Sequence, residues 1–81
     1  MPKVTLYTKP GCHLCDDVLE VIELVRSRRS FNLLIRNILD DVEDYAKYKH
    51  AIPVVMVNGQ EIGRYRLTES ELASALDRAT I

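Results

Sequence analysis

The chain has no tryptophan, one phenylalanine, three glycines, three prolines and two cysteines in 81 residues. Two cysteines are too few for the disulfide framework that stabilises small secreted domains. A closed tetrahedral zinc site needs four ligands, and two cysteines with two histidines lack the spacing of a second ligand pair. No apolar run reaches the roughly 18 residues of a membrane span, and no apolar signal segment precedes the first strand pattern. A reducing, cytoplasmic setting is expected. Neither charge sign dominates: 11 Lys and Arg face 12 Asp and Glu, a formal net charge of -1, which gives no electrostatic reason to expect nucleic acid or an anionic membrane as partner. What remains, 47% hydrophobic and 28% charged, is the composition of one soluble domain over 1–81 with a small core and modest stability.

Both cysteines fall in one stretch, Cys12-His13-Leu14-Cys15. A loop this short adds almost nothing as a staple, because disulfide stabilisation grows with the loop closed. The pair suits reactivity instead. It follows a β-rich run, Lys3 to Thr8, and Lys9-Pro10-Gly11, and it precedes an amphipathic helical pattern. Cys12 therefore stands where a turn becomes a helix. Free N–H groups and the positive end of the helix dipole there favour a thiolate, the species that attacks disulfides.

Apolar residues mark the remaining elements. Leu14, Val18, Val21, Ile22 and Val25 recur at steps of three and four, which predicts a helix over 13–28. Phe31 to Ile38 reads as a strand covered on both sides, with Phe31, Leu33 and Ile35 on one face and Leu34 on the other. Asp40 or Asp41 can cap a short helix carrying Val42, Tyr45, Ala46 and Tyr48. Val54 to Val57, Asn58-Gly59 and Gln60 to Ile62 predict a hairpin around a type I′ turn. Thr68-Glu69-Ser70-Glu71 is a capping box opening a last helix, whose apolar stripe is Leu72, Ala73, Leu76 and Ala79.

Taken together, Lys9-Pro10-Gly11-Cys12-His13-Leu14-Cys15, Ile52-Pro53-Val54, and Asn58-Gly59 through Ile62-Gly63 resemble the small glutaredoxin-like branch of the thioredoxin superfamily. The resemblance spans nearly the whole chain and implies a single glutaredoxin-like domain. It implies an α/β, thioredoxin-like βαβαββα fold, a four-stranded mixed sheet flanked by three helices. It also implies an enzyme, a thiol-disulfide oxidoreductase with Cys12 as exposed nucleophile and Cys15 as buried resolving thiol. A cis-proline loop at Pro53 would lie beside them, with the Ile52 backbone pairing to substrate as an added strand does. Partners so implied are a disulfide-containing protein or a glutathione mixed disulfide, and an unidentified reductant system. No cofactor is expected to be bound, glutathione is a possible electron donor, and the chain is expected to be a monomer.

Individual positions carry competing readings. Lys9 could favour the Cys12 thiolate or attract a substrate carboxylate, although a strand-end lysine is usually only solvated. His13 is equally a tuning group and a passive exposed residue, since the helix start that favours an anion disfavours an imidazolium. Asp16 and Asp17 suit a first helical turn, but either would oppose a nearby thiolate. Taken alone, Pro53 reads as a trans strand-start proline, because only about 5 to 6% of X-Pro bonds are cis. Arg26, Arg28 and Arg29 complement a helix C-terminus, and Tyr45 and Tyr48 read as partial core rather than a base-stacking pair. His50 reads as an ordinary surface histidine.

Departures from the family bear on the electron donor. Glutaredoxins typically carry Gly-Gly and an acidic residue after the hairpin, where this chain has Gly63-Arg64-Tyr65-Arg66-Leu67. Leu14 replaces a tyrosine common before the second cysteine. Arg64 or Arg66 could meet a carboxylate, but a cation in place of glycine and an acid changes what fits. The absence of tryptophan argues against an ordinary thioredoxin. Two other readings stand beside the oxidoreductase: a glutathione-dependent iron-sulfur cluster carrier, and a redox-silent thioredoxin-fold binding module.

Overall fold

The structure, a computed structural model, describes residues 1–79. Its centre is β1 (Lys3–Thr8), where alternation sends Val4 and Leu6 to one face of the sheet and Thr5 and Tyr7 to the other. The chain continues through α1 (His13–Arg26), β2 (Asn32–Asn37), a 3-10 turn at Ile38–Asp40, α2 (Val42–Tyr48), β3 (Val54–Val57), β4 (Gln60–Arg64) and α3 (Glu69–Ala79). Strand order is β2-β1-β3-β4. The β1 and β2 strands run parallel, as a helical crossover requires, and the other two pairs are antiparallel. This is the expected βαβαββα order and four-stranded mixed sheet.

Two clusters fill the faces of that sheet. Val18, Ile22 and Val25 of α1 and Leu72, Ala75 and Leu76 of α3 pack on Val4, Leu6, Val55 and Val57. On the opposite face Ile38, Tyr48, Ala51, Ile52 and Val54 gather with Cys15, and Tyr7, Cys12 and Met56 pack against them. Tyr7 and Tyr48 stack with ring centroids 4.4 Å apart. Burial pushes the Tyr7 phenol above its ordinary value, and Tyr48 and the Asp44 carboxylate add to the effect.

Local signals hold where expected. Asn58 and Gly59 both have positive φ, 51° and 83°, as a type I′ turn requires. The Asn58 side chain also accepts from the Lys3 N–H at 2.9 Å. Asp41 caps α2 by accepting from the N–H groups of Glu43 and Asp44 at 2.8 and 3.0 Å. The capping box forms in both directions: Glu71 Oε1 accepts from the Thr68 N–H, and Thr68 Oγ1 accepts from the Glu71 N–H. Arg28 pairs with Glu69 at 3.3 Å and Arg29 with Asp77, so the basic run just past α1 ties it to α3.

Two expectations are corrected. The strand predicted over Phe31 to Ile38 is not covered on both sides: β2 is an edge strand, and Ile35 is 48% exposed. The buried residues are Phe31 and Ile38, which flank it. Apolar composition does not separate a central strand from an edge one when the helices pack over the middle of the sheet. In α2 the predicted stripe fails similarly. Tyr48 is buried, but Val42 is 86% exposed and Tyr45 and Ala46 face solvent, because two helical turns present one anchoring residue to the sheet. The last strand also runs two residues beyond Ile62, to Arg64.

Candidate active site

The end of β1 is turned by Pro10 and by Gly11, whose φ of +78° is a left-handed conformation costly for residues with a Cβ. The turn delivers Cys12 to the N-cap of α1 with extended φ and ψ of -93° and 106°. Its Sγ accepts from the Cys15 N–H at 3.1 Å, and its carbonyl accepts from the Asp16 N–H at 3.1 Å. A sulfur thus takes the place that a serine or aspartate oxygen takes in ordinary caps. Cys12 and Cys15 are joined as a disulfide with Cα atoms 5.2 Å apart, inside the usual range. They differ in access: Cys15 is 2% exposed, and Cys12 is half-buried.

Ile52 and Pro53 are buried beside this pair, Ile52 in the same cluster as Cys15. The Ile52-Pro53 peptide bond is cis. Among the described residues no backbone hydrogen bond outside the helices and strands involves Ile52. Lys9 is exposed immediately after β1, and His13 is exposed as the first residue of α1. Neither side chain makes a hydrogen bond or ion pair with another described residue. Leu14, 40% exposed, lines a groove of about 380 Å³. Asp17, Val18 and Val21 of α1 form one wall, and Tyr65, Arg66, Leu67 and Thr68 the other.

The groove brings forward a residue that the sequence reading passed over. Tyr65 has φ 66°, a left-handed conformation that costs a non-glycine residue about 1–2 kcal/mol. Two hydrogen bonds hold it there: its N–H donates to the Pro53 carbonyl at 2.8 Å, and its hydroxyl donates to the His50 carbonyl at 2.7 Å. No local signal pointed to it, since the residue that stands where the resemblance implies a second glycine is Arg64, one position earlier. Arg64 does meet a carboxylate, but one of its own strand. Its Nε and Nη2 donate to Glu61 at 2.6 and 3.0 Å, and this hydrogen bonding holds the Glu61 carboxyl below its ordinary value. Arg66 makes no ion pair among the described residues.

Comparison with known proteins follows the same lines. The sequence profile of the Glutaredoxin-like domain (DUF836) matches residues 3–77. The chain is similar to the X-ray structure of protein XcR50 from X. campestris, with 29% identity over 93% of this chain and 96% of that one, at a TM-score of 0.75. It is also similar to protein Ne2328 from Nitrosomonas europaea, with 22% identity over 91% and 89% of the two chains and a TM-score of 0.78. A mutant thioredoxin from Halobacterium salinarum shares the fold at 12% identity, covering 99% of this chain and 75% of that one with a TM-score of 0.74. A thioredoxin-like α/β fold, a cysteine pair at disulfide distance and a profile match over residues 3–77 place this chain in the glutaredoxin-like domain family.

Proposed function

We propose that the protein is a thiol-disulfide oxidoreductase that reduces disulfides with the Cys12/Cys15 dithiol. The observation that carries this reading is the asymmetry of the pair, with a half-buried sulfur at a helix start bonded to a fully buried one. In the reduced protein the Cys12 thiolate attacks one sulfur of a substrate disulfide. The S–S bond breaks, the first substrate thiolate leaves and takes a proton, and a mixed disulfide remains on Cys12. Cys15 then attacks the Cys12 sulfur, releasing the second substrate thiol and closing the Cys12–Cys15 disulfide. Two electrons pass from the protein to the substrate; Cys15 supplies one proton and solvent the other. A dithiol reductase or two molecules of glutathione must return the electrons, a cycle that suits a reducing compartment such as the cytoplasm.

The backbone of Ile52, which has no hydrogen-bond partner among the described residues, supports an extended substrate lying along the Ile52-Pro53 loop. Leu14 and the groove behind it offer an apolar surface to residues flanking the substrate cystine. The test is stoichiometric. Reduced protein mixed with a peptide disulfide should consume one disulfide per dithiol, while Cys15→Ser should stop at a mixed disulfide on Cys12 that mass spectrometry detects. Absence of that adduct, with the reduced wild type leaving the peptide unchanged, would refute the reading.

A further inference from the structure

The proposal concerns Tyr65 and rests on the exchange reading given above. Its two hydrogen bonds reach the carbonyls of His50 and Pro53, on either side of the Ala51-Ile52 segment. That segment packs with Cys12 and Cys15. Tyr65, 47% exposed, lines the same groove as Leu14. One residue therefore holds the loop beside the cysteines, through its backbone N–H at Pro53 and its hydroxyl at His50, while its side chain lines the groove.

Charge decides what that space accepts. Glutathione brings two carboxylates, and each needs a cation or a set of free N–H groups. At the start of α3 the capping box occupies the N–H groups of Thr68 and Glu71, and Glu69 and Glu71 bring negative charge there. Arg64 is held by Glu61. Arg66 lines the groove and makes no ion pair among the described residues, but Asp17 stands in the same lining, and Lys9, near Cys12 in sequence, is not part of it. An uncharged segment meets none of these obstacles, since Leu14, Val18, Val21, Leu67 and the Tyr65 ring offer apolar contact.

We propose that Tyr65 is a specificity and positioning residue: it clamps the His50–Pro53 loop and walls the groove, so that the cysteine pair takes an extended, apolar peptide disulfide and turns glutathione away. Tyr65 touches no reacting atom and acts through the loop backbone. Its two parts are separable. The hydroxyl holds the loop, and the ring excludes glutathione.

The test compares reduced wild type, Tyr65→Phe, Tyr65→Gly and Tyr65→Asn in single-turnover reactions. One probe is glutathione disulfide, and the other is the disulfide-linked dimer of acetyl-Leu-Cys-Leu-amide. Wild type should prefer the apolar dimer by about tenfold or more, the scale of discrimination from one misfitting group. Tyr65→Phe, which loosens the loop but keeps the ring, should slow both reactions by the same factor of about threefold to tenfold, the range of one net hydrogen bond, and so leave the ratio of the two rates as in wild type. Tyr65→Gly should speed the glutathione disulfide reaction until the two rates lie within about threefold, as removing the obstruction restores fit. Tyr65→Asn tolerates the left-handed backbone without the ring and should behave as Tyr65→Gly even if the glycine loosens the turn. Unchanged rate ratios in both ring-removing variants, with their thermal unfolding cooperative, would overturn the proposal. A readout independent of turnover is NMR titration of the oxidised proteins with S-methylglutathione, which keeps both carboxylates but has no thiol to attack the Cys12–Cys15 disulfide; Tyr65→Gly should bind it more tightly than wild type, and equal affinity would overturn the proposal. Wild type that reduces neither probe would instead defeat the exchange reading, and the titration would still judge the wall.

Discussion

Thiol reactivity gives the most direct test of the roles assigned to the cysteines, read on reduced Cys12→Ser and Cys15→Ser. Cys15→Ser keeps the backbone N–H that meets Cys12 Sγ at 3.1 Å. A hydrogen bond to a charged group contributes about 1.5–3 kcal/mol, so the Cys12 thiolate equilibrium should be favoured by roughly tenfold to a hundredfold. The gain in rate is much smaller than that factor. Intrinsic nucleophilicity falls by about the square root of the same factor, and the thiolate fraction saturates, which leaves a net acceleration of about twofold to threefold at neutral pH over a free thiol. The signature is therefore the shape of the pH profile: iodoacetamide alkylation of Cys12 should level off well below the pH at which a free cysteine does. Cys15, 2% exposed, should react more slowly at every pH because the reagent needs an opening of the cluster to reach it. Faster reaction at Cys15 than at Cys12, or a Cys12 profile that rises like that of a free thiol, would refute the assignment.

Three further outcomes are expected. Ile22 is fully buried between α1 and the sheet, so Ile22→Ala should cost about 2–5 kcal/mol in urea unfolding, whereas Val42→Lys should change stability by no more than about 0.5 kcal/mol. Thr68→Ala removes one arm of the capping box and should lower stability by about 0.5–2 kcal/mol, read in the same titration. Hydrogen bonds from Arg64 and Arg29 lower the carboxyl pKa values of Glu61 and Asp77. Lowered carboxyls contribute stability that is present above their unfolded range, about 3.9 to 4.3, and lost as pH falls through the folded values. Arg64→Ala and Arg29→Ala should therefore each flatten the loss of stability below about pH 4, by a small amount because these pairs are exposed; an unchanged acid slope would refute that origin.

Elements with a local cause were legible in the sequence. The Asn58-Gly59 turn, the Thr68/Glu71 capping box and the α1 stripe each depend on residues within one or two turns of one another, and each appears as read. The features misread depend on position within the sheet. Leu34 and Ile35 would be core in a central strand and are half-exposed in β2, because only β1 lies beside it. Val42 and Ala46 follow a helical spacing, but both are exposed and Tyr48 is the buried residue of α2. The cysteine pair falls between the two: the turn at Gly11 and the helix behind it set Cys12 at the helix start, whereas the half-burial of Cys12 and the full burial of Cys15 come from packing with Ile38, Tyr48 and Ile52, and their difference in access was implied in the sequence only by the family resemblance.

Tyr65 belongs to the second class, and the hairpin shows why. Near its turn β3 pairs Val57 with Gln60 and Met56 with Glu61, but farther along Val55 pairs with Gly63 and Val54 with Arg64. Ile62 is the extra residue of a bulge between them. A regular ladder would have set Gly63 opposite Val54 and Arg64 opposite Pro53, and a one-residue slip sends each side chain to the other face of the sheet. With the bulge, the residue that reaches Pro53 is Tyr65, whose N–H donates to its carbonyl and whose hydroxyl goes on to His50. The hydrophobic pattern of Gln60 to Ile62 carries no sign of that shift. The contact that holds the loop beside the cysteines is thus fixed by where the bulge falls in the β3–β4 ladder, at Ile62, two residues before Arg64 pairs with Val54, and a three-dimensional register was needed to find it.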